Sequence, residues 1–313
     1  MKWFSKRGAS EPGWLAVSLQ TGSVSFAHGR VASNGKSTIS RCGTRAYAGD
    51  QGGADRVARE LQFDRYQCLT LLAPGEYQLL LVEAPNVQPG ELKTAIRWRV
   101  KDMLDYHADD ATIDVLDIPP DPAGGSRTHS MYAVAARNDV IQECVGRFDA
   151  ARIPLSVIDI PETAQRNIAA LFEPENRGLA LLYLGAGHGL LTINFRGELY
   201  LARRIEVGID QITGATGERR VEAMNRIALE LQRTFDHFDR QFPFVAVAKL
   251  ILGPEPESTG LAEHLKASLD LPVEAANLGG VLGFGAGAAL DSAGEWRLFH
   301  LLGAGLRNEV KAL

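Results

Sequence analysis

The sequence predicts a mixed α/β protein with two similar lobes and a small α/β subdomain inserted into the first lobe. Two strand–turn–strand patterns predict the lobes, because one begins at Trp14 and the other at Leu179, and helix and strand patterns follow both. An additional α/β block after Ala73-Pro74-Gly75 predicts the insertion. The predicted ranges are 1–12 for a flexible N-terminus, 13–74 and 159–177 for the first lobe, 75–158 for the inserted subdomain and 178–313 for the second lobe.

The first lobe begins with a hairpin whose turn consists of small and polar residues around Thr21-Gly22. A third strand is predicted at 37–44, a short helix at 55–61 and a buried strand at 68–72. After the inserted block, Pro161 is expected to begin the next helix, because proline is tolerated in a first helical turn.

The inserted block alternates strand and helix patterns. Apolar residues at helical spacing predict a helix over 89–104, with a second helix ending near Phe148. The predicted strands of this block are 77–82, 112–116, 131–136 and 155–158.

The second half repeats the order of the first. Its hairpin continues to Ile205, and a long amphipathic helix follows and ends before Pro243. A strand at 250–252, a helix at 261–269 and a strand at 272–275 come next. An apolar helix is predicted to begin within 284–289.

Composition excludes several classes of protein. The chain has 33 basic and 38 acidic residues and a net charge of -5, which argues against general binding to nucleic acid or to anionic membranes. Cys42, Cys68 and Cys144 are odd in number and lack zinc-site spacing, so a reducing compartment is expected. No apolar run approaches the ~20 residues of a membrane span. We therefore expect a cytoplasmic protein.

Isolated motifs point to neither a metal site nor a catalytic set. Asp236, His237 and Asp239 lie around the polar side of the long helix, where solvated carboxylates are common. The Gly283–Gly287 run has the spacing GxGxG but no downstream acid, so its glycines are expected to serve close helix packing. Glu206, near a strand end, stays open as a substitute for a missing catalytic acid.

Several motifs together resemble a known family. Ala95-Ile-Arg97-Trp98-Arg99, Tyr132-Ala-Val-Ala-Ala-Arg137 and Glu230-Leu-Gln-Arg-Thr-Phe235 stand in the order and spacing of the MshI branch of PilM-type pilus-assembly proteins. The similarity extends over nearly the whole chain. It implies the actin-like ATPase fold, which is ribonuclease H-like, with two lobes and an insertion in the first.

The resemblance also implies a nucleotide site, but the residues that would hold magnesium are changed. Nucleotide-binding relatives carry an aspartate in each of the two turns, and Ser18 and Tyr183 stand at these positions here. A glycine pair that contacts adenosine becomes Gly253-Pro254, and proline has no N–H to offer. The predicted degenerate site comprises Ser18, Thr21, Gly22, Ser23, Gly185, Ala186, Gly187 and Gly253. We expect no hydrolysis, no cofactor and no metal, with weakly bound ATP as the alternative.

The partners follow from the same resemblance. It implies a non-catalytic scaffold of type IV pilus biogenesis, of the mannose-sensitive haemagglutinin (MSHA) kind, that docks the N-terminal cytoplasmic tail of a bitopic, PilN/MshJ-like inner-membrane protein. The tail would lie between the inserted subdomain and the first lobe, so membrane association would be indirect. Other pilus components are expected partners, and nucleic acid is not. The alternative is an ATPase or ATP-binding regulator of pilus or type II secretion assembly.

Arg97, Trp98 and Arg99 are the predicted contacts for the partner. A tryptophan beside arginines is typical of protein interfaces. The alternative is that Trp98 covers the edge of the core.

Overall fold

The structure, a computed structural model, describes residues 11–32, 35–48, 52–121 and 129–308. Residues 1–10 of the predicted flexible N-terminus lie outside the described residues. The first sheet has the strand order β14 (Gly283–Phe284), β3 (Ser37–Ala46), β2 (Ser23–Val31), β1 (Trp14–Gln20), β4 (Gln67–Leu71) and β8 (Leu155–Asp159). Strands β1 to β3 are antiparallel neighbours, whereas β4 and β8 run parallel to β1.

The second sheet repeats this arrangement. Its order is β11 (Glu198–Ile205), β10 (Gly189–Phe195), β9 (Gly178–Leu184), β12 (Val247–Leu252) and β13 (Val273–Ala275). Again an antiparallel meander is followed by two parallel strands. The two lobes therefore share one topology, and the predicted duplication is confirmed.

The inserted subdomain has a three-stranded antiparallel sheet with the order β5 (Tyr77–Glu83), β7 (Ser130–Arg137) and β6 (Ala111–Ile118). Helix α2 (Leu92–Val100) packs on one face of the sheet through Ile96 and Val100. On the other face, the Tyr132 hydroxyl accepts a hydrogen bond from the Ala202 N–H of β11 at 3.2 Å. The insertion therefore also contacts the second lobe.

Helix α2 is shorter than the predicted 89–104, because Pro89–Glu91 forms a separate 3-10 turn. The other helices are α1 (Gly53–Glu60), α3 (Asn138–Ala150), α4 (Pro161–Ala169), α5 (Ile209–Thr213), α6 (Gly217–Gln241), α7 (Leu261–Ser268), α8 (Leu278–Val281) and α9 (Ser292–Gly305). No helix in the described part is long and apolar enough to cross a membrane.

Helices α4 and α9 cross between the two lobes. Helix α4 follows β8 of the first sheet yet contacts β9, β10 and β11 of the second, whereas α9 follows β14 and contacts β1 to β4 of the first sheet. Their crossing is close, because a Cβ on Gly303 would overlap the Ala164 carbonyl. The Asn167 side-chain amide also donates to the Gly303 carbonyl at 3.0 Å. The buried cluster around the pair includes residues of both sheets.

The prediction of an apolar helix within 284–289 is wrong. Gly283–Phe284 forms strand β14, which pairs in parallel with β3, and Gly285 donates its N–H to Ile39. The helix begins only at Ser292, after Asp291 accepts the Gly294 N–H at 2.7 Å as an N-cap. The glycines of this run therefore lie against a strand, not between helices as predicted.

Two strands belong to a different sheet from the one that the predicted domain ranges imply. Strand β14 falls within 178–313 but extends the first sheet. Strand β8 falls within 75–158 but pairs with β4, and Cys144 and Phe148 of α3 pack in the core of the first lobe. The inserted sheet itself is confined to β5, β6 and β7.

The α4–α9 crossing should tolerate no added methyl group at Gly303. We expect Gly303→Ala to lower the free energy of unfolding by about 3 kcal/mol, because two helix backbones must move apart. The matched control is Gly146→Ala on α3, where an added Cβ meets nothing within 4 Å. That control should be neutral or stabilising by up to ~1 kcal/mol, since alanine favours helix more than glycine does. Urea unfolding measures both, and equal effects would contradict the role given to the crossing.

Candidate functional site

A cleft of about 530 Å³ opens between the lobes at the ends of the two hairpins. Of the predicted nucleotide-site residues, Gly185 and Ala186 line it, and the first turn contributes the neighbouring Gln20. The remaining lining residues are Pro74, Gly75, Tyr77, Leu79, Pro161, Glu162, Tyr183, His188, Gly189, Leu190, Arg204 and His300. The structure thus brings the two turns to one cleft but surrounds them with aromatic and apolar side chains.

The first turn, between β1 and β2, is held by Tyr47. The Tyr47 hydroxyl donates to the Gln20 carbonyl at 2.9 Å, and its N–H donates to the Gly22 carbonyl at 2.8 Å. Gly22 has φ +82°, a conformation that glycine adopts without strain. Ser18 pairs with Ser25 across the hairpin, so a short hydroxyl stands at the position of the expected carboxylate.

The second turn, between β9 and β10, is fixed by helix α5. The Gly185 carbonyl accepts the Ile209 N–H at 2.8 Å, and the Ala186 carbonyl accepts the Asp210 N–H at 3.1 Å. Gly208 lies so close that a Cβ there would overlap the Ala186 carbonyl. The carbonyls of this turn thus cap a helix.

Gly253 has no N–H free for a ligand. Its N–H donates to the Leu182 carbonyl at 2.7 Å, and a Cβ would come within 3.3 Å of the Tyr183 ring. Close packing against β9 therefore explains this glycine. A role of Gly253 in nucleotide binding stays a prediction.

Tyr183 stands at the position of the second carboxylate and belongs to a cluster of aromatic side chains. Its ring stacks on Phe299 with centroids 4.8 Å apart, and His300 meets it edge-on at 4.6 Å. The Tyr183 hydroxyl donates to the Trp296 carbonyl at 3.0 Å, while the Trp296 indole donates to the Leu184 carbonyl at 2.7 Å. Burial raises the pKa of Tyr183, so the residue stays neutral. Three of these side chains come from α9, which the sequence analysis placed too early.

His300 and Gln165 form a hydrogen bond with each other next to this cluster. The Gln165 amide nitrogen is within 2.9 Å of the Leu181 carbonyl and 3.1 Å of the Leu190 carbonyl, so its oxygen faces His300 Nε2 at 3.2 Å. An amide oxygen only accepts, so Nε2 of His300 carries the proton. Burial, with a smaller repulsion from His188, lowers the pKa of His300 to about 3. The pair of His300 and Gln165 is therefore uncharged.

Glu162 is a cleft residue that the sequence analysis missed. It is the one carboxylate among the described residues that line the cleft, and its Oε2 accepts the Tyr77 hydroxyl at 2.6 Å. Burial raises the pKa of Glu162, partly offset by this hydrogen bond. Its place directly after Pro161, at the start of the helix that follows β8, is the signal that could have found it. Glu206, the open substitute acid, is instead mostly exposed and pairs with Arg204 at 3.1 Å.

Within the described residues, no group of three or more histidine, cysteine, aspartate or glutamate side chains could hold a metal ion. Asp236, His237 and Asp239 are all exposed on α6.

A second groove, of about 450 Å³, lies between the inserted subdomain and the first lobe. Residues 114–117 of β6 line one side and residues 156–159 of β8 line the other. Within the described residues, β6 pairs only with β7, and β8 pairs only with β4. Each strand therefore presents one unpaired backbone edge, and the two edges flank the same groove.

The walls of the groove carry both apolar and charged side chains, among them a buried ion pair. Leu116, Val157 and Leu199 line it, and Arg307 at the end of α9 pairs with the buried Asp159. An arginine with a buried carboxylate forms a strong, directional pair. The ion pair therefore fixes one end of the groove.

The structure brings together two of the three residues predicted for the partner, since Arg97 and Trp98 line one groove of about 690 Å³ on the inserted subdomain and Arg99 does not line it. The Arg97 guanidinium donates to the Ala108 and Ala111 carbonyls and so fastens the segment before β6. Arg99 lies 3.7 Å from Glu83, whereas Trp98 is 67% exposed with Lys101 over its ring. None of them lines the groove between β6 and β8. Trp98 thus does not cover the core, and a partner role for the three stays a prediction.

The neutral His300 should make stability depend on pH. The folded pKa of about 3 lies below the ordinary histidine pKa of 6.5, so the contribution of His300 to stability is complete above pH 6.5 and is lost as the pH falls toward 3. Between pH 7 and pH 5 we expect the native chain to lose about 2 kcal/mol more unfolding free energy than His300→Gln. Urea unfolding at both pH values measures this difference. Equal losses would mean that His300 is not buried as a neutral ring.

Comparison with known proteins bears on the fold. No family model and no curated protein matches the sequence. A chain of the PilM–PilN type IV pilus biogenesis complex matches at 14% identity over 96% of this chain and 99% of that one, with a TM-score of 0.67. The cytoplasmic domain of EpsL, an inner-membrane component of the type II secretion system of Vibrio cholerae, matches at 14% identity over 93% of both chains, with a TM-score of 0.48.

A Bacteroides thetaiotaomicron protein with an actin-like ATPase fold matches at 10% identity over 89% of this chain and 96% of that one, with a TM-score of 0.48. Such low identities bear on the fold alone. The duplicated sheets, the crossing helices and the cleft between the lobes are consistent with that fold. The chain has the actin-like ATPase fold that the sequence predicts.

Proposed function

We propose that this chain is a non-catalytic scaffold of type IV pilus biogenesis, of the MSHA kind. It docks the N-terminal cytoplasmic tail of a bitopic, PilN/MshJ-like inner-membrane protein. The groove between β6 and β8 carries the proposal, because it offers two unpaired strand edges together with apolar and charged side chains. An extended peptide that adds to a strand edge gains main-chain hydrogen bonds, while side-chain pockets provide selectivity.

The similarity to a chain of the PilM–PilN complex supports the choice of partner. A bitopic partner would hold this chain at the inner membrane indirectly, so the proposed location is the cytoplasm next to that membrane. Other components of the pilus machinery are proposed as further partners.

The aromatic cleft supports the absence of catalysis. Hydrolysis in this fold needs a bound nucleotide and a magnesium ion, and carboxylates anchor that ion. Ser18 and Tyr183 offer no carboxylate, and the hydroxyl and ring of Tyr183 are already engaged with α9. We therefore propose that no cofactor is needed.

One observation favours the alternative of an ATPase or ATP-binding regulator of pilus or type II secretion assembly. Glu162 places a buried carboxylate in the cleft. Arg204 lies in the same cleft and provides a positive charge.

Strand addition makes a position-specific prediction. We expect a peptide of the partner's cytoplasmic N-terminus to bind, and single backbone N-methylations to weaken binding more than tenfold at alternate positions only. Alternate N–H groups of a strand point to the same side, so a peptide that extends one of the two edges, that of β6 or that of β8, bonds through one set only. Calorimetric titration measures the affinities. Equal sensitivity at successive positions, or no binding of the unmodified peptide, would contradict the proposal.

A matched pair of tryptophan variants, one inside the groove and one outside it, can be compared in the same titration. Ser156→Trp places an indole in the groove, whereas Gln67→Trp changes an exposed strand position of the same sheet that does not line it. The first variant should weaken binding at least tenfold, about 1.4 kcal/mol. The second should leave the affinity unchanged.

A phosphate-release assay with Mg·ATP distinguishes the two functions. We expect no turnover above that of buffer, because the cleft lacks the anchors for magnesium. Turnover that disappears in Glu162→Gln would support the enzyme alternative and overturn the scaffold reading. Tyr183→Phe is the control for disturbed packing, since it keeps the stacked ring and removes only the hydroxyl.

A further inference from the structure

The inserted sheet has a second free edge, on β5. Among the described residues β5 pairs only with β7, and the Ala84 N–H donates to the His129 carbonyl at 2.8 Å, one position beyond the last pair of that ladder. Bonded and non-bonded pairs alternate in an antiparallel ladder, so the even-numbered positions of β5 bond to β7. The N–H and carbonyl groups that point away from β7 therefore belong to the odd-numbered positions, which are Tyr77, Leu79, Leu81 and Glu83.

This edge lacks the features that usually prevent strand pairing. Native edge strands are protected by charges, proline, bulges or short length. Strand β5 is 7 residues long, its register with β7 is unbroken, and its only charged residue is Glu83 at the end. By contrast, β13 and β14 are short, and the Tyr132 hydroxyl bonds to the Tyr200 carbonyl and the Ala202 N–H of β11. The β5 edge is therefore open to another strand in the part of the chain that the structure describes.

The open part of the edge is centred on Leu81. Tyr77 and Leu79 at the start of β5 line the interlobe cleft, whereas Leu81 is 43% exposed. A two-fold axis at Leu81 would place this residue opposite itself, and Leu79 opposite Glu83 of a second copy. These positions all have free backbone groups, so this register would bond the two edges to each other and cover Leu81.

The charges beside β5 complement each other in that register. Arg99 of α2 lies 3.7 Å from Glu83 at the end of the strand. Asp105, which follows α2, accepts the Gln78 side-chain amide at 2.9 Å near the start of the strand. Antiparallel pairing brings the end of one β5 next to the start of the other, so Arg99 of each copy comes close to Asp105 of the other. A two-fold axis repeats this attraction, which favours a second copy over an unrelated strand.

We propose that the chain forms a two-fold dimer through antiparallel pairing of β5 with β5 of a second copy. The two inserted sheets then form one continuous sheet, with β6 at both outer edges. The groove between β6 and β8 stays free in each copy, so this inference is independent of the proposed pilus role.

Sedimentation equilibrium over a roughly hundredfold range of chain concentration tests the proposal, because a dimer follows mass action. We expect the mass to rise from the 33.9 kDa of one chain towards twice that value. Leu81→Lys should weaken dimerisation about tenfold or more, since like charges would lie opposite each other at the axis.

The matched control is Leu229→Lys on α6, because Leu229 is 45% exposed and lies outside the inserted subdomain. It should leave the dissociation constant unchanged. The mass of one chain at every concentration, or equal effects of the two lysines, would overturn the proposal. So would a chain that stays a monomer and binds a strand of another protein at β5.

Disulfide formation tests the register. In oxidised Leu81→Cys we expect a disulfide-linked dimer, since Cα atoms of a bonded antiparallel pair lie about 5.5 Å apart, within the range of a disulfide. Leu229→Cys should form none, and the unsubstituted chain measures any background from the half-buried Cys42. A dimer in which Leu81→Cys forms no more disulfide than Leu229→Cys would contradict the pairing of β5.

Charge exchange tests the contact between Arg99 and Asp105. Arg99→Asp should weaken dimerisation several-fold, and adding Asp105→Arg should restore most of it, because the opposite charges then face each other again. Restoration excludes misfolding as the cause of the loss. A dissociation constant that ignores both changes, or a loss that the second change deepens, would contradict the proposed dimer.

Discussion

The crossing of α4 and α9 is the constraint on which the rest of this structure depends. Helix α4 follows the first sheet and packs on the second, and the buried cluster around α4 and α9 contains residues of both sheets, so the two lobes share part of their core. The approach is close at Gly303 against Ala164, and Gly305 packs against Gly29 of β2 in the same way. Packed backbones transmit displacement, because a protein interior has few voids to absorb it. The crossing therefore sets both the width of the cleft and the position of α9.

The position of α9 in turn decides what the cleft can bind. This helix carries Trp296, Phe299 and His300 to Tyr183, and the four side chains form a neutral, internally bonded cluster. A magnesium–phosphate site needs fixed charges and free backbone donors. Here the cluster around Tyr183 is uncharged, and the Gly185 N–H of the second turn is already bonded to the His188 carbonyl. The same fold leaves the edges of β6 and β8 unpaired, so the binding surface proposed here lies outside the nucleotide cleft.

Much of the fold could be predicted because it repeats. The hairpins at Trp14 and Leu179 predicted two lobes of one topology, and Tyr183 was identified in place of an acid. The stacking on Tyr183 could not be predicted. The glycine-rich apolar run at 283–289 has the pattern of a helix start, so the helix that begins at Ser292 was predicted too early. Glu162 was missed because a glutamate in a first helical turn is usually exposed. The exposure of Trp98 was also undecided, because the apolar stripe of a short helix does not determine whether the residues beside the stripe are buried.

Amide hydrogen exchange tests the central claim, which is that this actin-like fold serves as a platform for a peptide and not as a nucleotide switch. The chain would be measured alone, with the partner's N-terminal peptide and with Mg·ATP. We expect the peptide to slow exchange in Ala111–Ile118 and Leu155–Asp159. Mg·ATP should leave the exchange rates of the turns at Thr21–Ser23 and Gly185–Gly187 unchanged. Slower exchange in both turns with Mg·ATP, together with no effect of the peptide on β6 or β8, would contradict it.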